Sequence, residues 1–93
     1  MTLSDLLDAI LAWQEPRNGA DCVVYVNAHT ASLMGWHGGM APRASPSGRP
    51  GMVIAVNTLI AREWILDHEL ADGACRIERY DGADKPETEQ VNK

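Results

Sequence analysis

Three histidines, His29, His37 and His68, are the side chains of this sequence best suited to acid–base or metal chemistry. On a helix the run His68-Glu69-Leu70-Ala71-Asp72 would place His68 and Asp72 on one face, with Glu69 free to act as a base. It lacks the second histidine of an HExxH motif, and a third ligand would have to come from His29 or His37. Nucleophilic chemistry has a comparable gap. His29, Thr30 and Ser32 stand together, yet a hydroxyl activated by histidine needs an orienting carboxylate such as Asp21 or Asp67, and Ser47 is flanked by Pro46 and Gly48 rather than set in a GxSxG elbow. Neither GxxxxGK[ST] nor GxGxxG occurs. These patterns lead us to expect no cofactor and no metal. A small histidine-dependent hydrolase or metal-dependent enzyme is the lesser alternative to a protein without catalysis.

Recognition chemistry is better represented. Residues 35–51 hold five glycines, three prolines and two arginines, a composition that cannot build a packed core. Such a loop suits ligand contact: glycine lets backbone N–H groups approach closely, Arg43 and Arg49 offer forked donors for carboxylate or phosphate, and Trp36 beside His37 offers a stacking face. A connection of this length is itself a weak functional signal, the plain alternative being a linker that touches nothing.

Charge is unevenly spread. The 93 residues carry a formal net charge of −5, which disfavours direct attachment to nucleic acid or to an anionic membrane. From Cys22 to Arg62 there is no Asp or Glu, only Arg43, Arg49 and Arg62, whereas the acids gather from Glu63 onward. Glu63, Asp67 and Glu69 open that acidic half and are candidates for contact with a partner protein, since complementary charge speeds encounter and selects partners. A basic nucleic-acid-binding protein, its groove blocked by a small acidic inhibitor, is the sharpest form of that expectation. A homodimer is a further arrangement that a thin core would favour.

The elements that must position these groups follow from periodicity. Leu3, Leu6, Leu7, Ile10 and Leu11 form one helical stripe, which Thr2 or Ser4 can cap and Pro16 ends. Residues 22–28 and 52–57 are rich in β-branched side chains and apolar on nearly every position, the pattern of strands covered on both faces. Residues 58–70 show neither a clean stripe nor strict alternation. Asn57 or Thr58 as N-cap and Gly73 near the stop favour a helix there, against a hairpin of residues 63–68 with 75–80. In residues 74–80, Cys75 and Ile77 alternate with Arg76 and Glu78, as in an edge strand. Residues 81–93 are polar and read as a flexible tail.

The expected architecture is α+β: one compact domain over residues 1–80 with a long internal loop at 29–51. An N-terminal amphipathic helix would pack on a short three- to four-stranded sheet, with a second helix near 58–70. Cys22 and Cys75 lack any close spacing and suit buried thiols, a single bridge being the alternative. No apolar run is long enough for a bilayer and no basic segment precedes the first leucines, so a soluble cytoplasmic protein is expected.

Overall fold

A computed structural model describes residues 1–36, 38, 45–80 and 88–92. Helix α1, Leu3–Gln14, begins in a capping box. The Asp5 N–H donates to Thr2 Oγ1 at 3.1 Å and the Thr2 N–H returns to Asp5 Oδ2 at 2.9 Å, satisfying two donors that a helix start leaves without partners. The helix buries Leu6, Ala9, Ile10 and Trp13, so the buried face is rotated from the expected leucine stripe, of which Leu3 and Leu7 are half-buried and Leu11 is 54% exposed. Pro16 then sets a short 3-10 turn, Glu15–Arg17, and Asn18 with φ 57° redirects the chain into the sheet.

Five strands follow: β1 Cys22–Val26, β2 Met52–Thr58, β3 Ala61–Leu66, β4 Ala74–Arg79 and β5 Thr88–Asn92. They lie in the spatial order β2-β3-β1-β4-β5, with β1 and β3 parallel and every other neighbouring pair antiparallel. Between β1 and β2 sits one short helix, α2 Ala28–Ser32, capped by Asn27, whose Oδ1 accepts the Thr30 N–H at 2.9 Å. The expected α+β class, with an N-terminal helix on a small sheet, is what the chain adopts, with one strand more than the upper expectation. Among the described residues no helix is long and apolar enough to cross a membrane.

The strands' two-residue period divides the side chains between two faces. Cys22, Val24, Val26, Trp64, Leu66, Cys75 and Ile77 join the helix-side core with Leu6, Ile10 and Trp13. Val23, Tyr25, Val53 and Ile65 point the other way into a second cluster. No helix of the described residues covers that second face; the segment from Ser45 to Gly51 lies over it instead.

Three expectations change. Residues 58–70 are not a helix: after a tight turn with Asn57, Leu59 and Ile60 at φ 49°, 50° and 60°, the chain becomes β3 and pairs with both β2 and β1. Its alternation was hidden because both faces are covered, so Trp64 and Ile65 are each buried although they point in opposite directions. The hairpin alternative also fails in its partner, since β4 pairs with β1 and β5 rather than with β3. Of the two apolar strands only β1 is central; β2 is an edge, with Val56 40% exposed, whereas β4, expected at an edge, lies between β1 and β5. Within the presumed tail, residues 88–92 form β5, whose Val91 packs against the helix-side core, while residues 81–87 and 93 lie outside the described residues.

The two cysteines are buried thiols, not bridged to each other. Cys22 faces Arg79, four residues along β4 from Cys75, about 13 Å at the usual strand rise and too far for a bridge.

Candidate functional site: a concavity on the helix-free face

On the second face a strap of chain is tied down at every second residue. Glu63, at the middle of β3, is only 1% exposed, and its two carboxylate oxygens accept from the strap: Ser45 Oγ donates to Oε1 at 2.5 Å and Ser47 Oγ to Oε2 at 2.6 Å. A buried carboxylate without such donors would carry a heavy desolvation cost, which accounts for a serine-bearing strap above it. Arg49 makes the next tie. Its Nε donates to Glu78 Oε1 at 2.6 Å, Nη1 to the Ser47 hydroxyl, and Nη2 to the Arg79 and Tyr80 carbonyls at 3.0 and 3.2 Å. At Gly51, with φ 110°, a Cβ would fall 2.7 Å from Ile65 Cγ2, so only glycine lets the strap come this close to β3.

Beside the strap the face opens into a concavity of about 440 Å³. Tyr25 and Ile65 supply apolar walls, the Leu66 backbone lines the floor, and four charges surround them: Arg49, Asp67, Arg76 and Glu78. These form two ion pairs, Arg49 with Glu78 and Arg76 Nη1 with Asp67 Oδ2 at 3.2 Å. The Arg76 guanidinium also lies 4.1 Å over the Tyr25 ring, a cation–π contact that fixes its plane. The Tyr25 hydroxyl donates to Glu78 Oε2 at 3.4 Å. Burial, with the Glu78 charge second, pushes the Tyr25 hydroxyl above its usual pKa, against the opposing pull of Arg49 and Arg76. The two pairs make the concavity formally neutral, unlike the chain as a whole.

Of the candidate residues, the structure brings Arg49, Glu63 and Asp67 onto this face. Glu63 is interior, so it does not belong to an acidic surface, and Asp67 is committed to Arg76 and to the Glu69 N–H, which donates to Asp67 Oδ1 at 3.0 Å. Glu69 itself is exposed in the turn after β3. Trp36 packs elsewhere, against the helix-side core, where it lines a small apolar pocket of about 130 Å³ with Met34, Ile54 and Ala55. His37 and Arg43 lie outside the described residues. His29 and His68 are exposed, His29 on α2 and His68 in the turn after β3, where no helix aligns His68 with Asp72. Among the described residues no group of three or more His, Cys, Asp or Glu side chains is arranged to hold a metal ion.

Tyr25, Arg76 and Glu78 were not singled out from the sequence as site residues. The alternation in β4 does place Arg76 and Glu78 on one face, away from Cys75 and Ile77. What the sequence lacked was the register that sets Arg76 opposite Tyr25 and Glu78 opposite Val23. Comparison with protein families, with curated proteins and with solved structures returns no match for the chain.

Proposed function

We propose that this chain is a noncatalytic protein-interaction module that receives a short segment of a partner protein in the concavity between the strap and the ends of β1 and β3. The observation that carries this reading is the composition of the concavity: apolar walls with charges already oriented by one another, and, among the described residues, no histidine, cysteine, serine or threonine in its lining. Sites that bind peptides or small ligands combine apolar walls with a few fixed polar groups in this manner, whereas nucleophilic or acid–base catalysis needs a nucleophile beside a base. Arg49 comes from the Gly/Pro/Arg loop and Asp67 from the acidic half, so both regions marked by the sequence contribute to one site.

Selection of random displayed peptides against the folded, isotope-labelled chain tests the reading. Shifts on adding the selected peptides should cluster at Tyr25, Arg49 to Gly51, Ile65 to Asp67 and Arg76. Selected peptides that shift the Trp36 pocket or the outer edge of β2 instead would place recognition elsewhere and end this proposal.

A further inference from the structure

The hydrogen-bonding inventory of the concavity narrows what it would hold; this step rests on the proposed peptide-binding role. Three of the four charges have their capacity largely committed within the chain. Arg49 donates to Glu78, Ser47 and two carbonyls; Asp67 takes Arg76 and the Glu69 N–H; Glu78 takes Arg49 and the Tyr25 hydroxyl. Arg76 differs. Its side chain is 35% exposed, and among the described residues only Nη1 has a polar partner, although a guanidinium carries five N–H donors. Stacking on Tyr25 and pairing with Asp67 hold that group nearly in place before any ligand arrives, so little rotamer entropy remains to be lost on binding.

A fixed guanidinium with uncommitted donors is complementary to a carboxylate, which it can grip through two parallel hydrogen bonds. Asp67 and Glu78 flank it, so a run of acidic residues would meet like charge on either side, whereas a single carboxylate next to an apolar group would not. The most compact peptide unit carrying both from one residue is the chain end. We propose that the concavity binds the C-terminal residue of a partner protein, its α-carboxylate on Arg76 and its aliphatic side chain against Tyr25 and Ile65.

The probe is the dipeptide N-acetyl-Gly-Val with a free carboxylate, titrated beside its C-terminal amide into the isotope-labelled chain. The free acid should shift the Tyr25 and Ile65 signals and the Arg76 side-chain N–H, and the amide should bind at least about tenfold more weakly, as expected when a charge-assisted pair is lost. Arg76→Gln should lower affinity for the acid by about the same factor. Arg76→Lys, which keeps the charge and the pairing with Asp67 but loses the fork, should fall between them and controls for damage to the fold. Equal binding of acid and amide at this face would overturn the carboxylate assignment while leaving the interaction-module reading intact. Tighter binding of an internal poly-Glu peptide would do the same. If the dipeptide acid shifts only residues remote from the concavity, the assignment is also wrong, and the display selection then decides whether the wider reading survives.

Discussion

Cys22 illustrates how one buried side chain couples to solution conditions. Burial, and secondarily the charge of Asp21, pushes its thiol up to about 11 from an ordinary value of 9.0. The Tyr25 hydroxyl is displaced in the same direction. Because these groups keep their protons longer in the folded chain than in the unfolded one, the unfolded state binds fewer protons above pH 9, and stability must fall as pH rises. Urea unfolding followed from about pH 8 to about pH 11 should show the midpoint constant at first and then declining, and Cys22→Ala should flatten part of that decline. A midpoint that rises over this range would contradict the assignment. The sequence showed the apolar run and the adjacent Asp21, but the larger cause is burial of Cys22 in the helix-side core.

At the level of elements, legibility depended on whether one face or two were covered. Helix α1, solvated on one side, announced itself through Leu3, Leu6, Leu7, Ile10 and Leu11 and through its Thr2 cap. Strand β3 is covered on both sides, so Trp64, Ile65 and Leu66 run together without a period and resembled a helix. The turn before it gave misleading chemistry as well, because Leu59 and Ile60 sit at positive φ, where Asn or Gly would be expected. That departure is a source of strain, worth about 1 kcal/mol or more for a β-branched residue. Ile60 is 48% exposed and contributes little packing in return. Replacing it with Asn should therefore stabilise the chain by about 0.5 to 1 kcal/mol, measured by thermal denaturation. A loss of stability would show that the Ile60 side chain does more than its exposure suggests.

For the molecule as a whole, the two-part charge pattern of the sequence does not become two halves in space. The acid-free middle is joined to the acidic regions on either side by Arg49 with Glu78 and by Arg62 with Asp21. These two links differ greatly in environment. Arg49 and Glu78 are 13% and 16% exposed and in contact at 2.6 Å, whereas Arg62 and Asp21 are about half exposed and 3.8 Å apart. Breaking a buried pair leaves a charge uncompensated and costs about 3 kcal/mol, while an exposed pair is worth about 0.5 kcal/mol or less. Chemical denaturation should accordingly show Arg49→Met as strongly destabilising and Arg62→Met as nearly neutral, even though the two substitutions remove the same charge from the same chain region. The Gly/Pro/Arg composition of residues 35–51 pointed to this part of the chain as functional. It did not reveal that Ser45, Ser47 and Arg49 are anchors, because Glu63, which accepts from the two serines, looked like a surface acid and the pairing of Arg49 with Glu78 depends on the sheet register.

The alternate tying of the strap also makes the molecule convenient to instrument. Ser45, Ser47, Arg49 and Gly51 engage the sheet, while Pro46 and Gly48 are exposed between them. A cysteine introduced at Pro46 would therefore carry a fluorophore on the strap without disturbing its anchors, and the two native thiols, both buried, would leave that position selectively addressable.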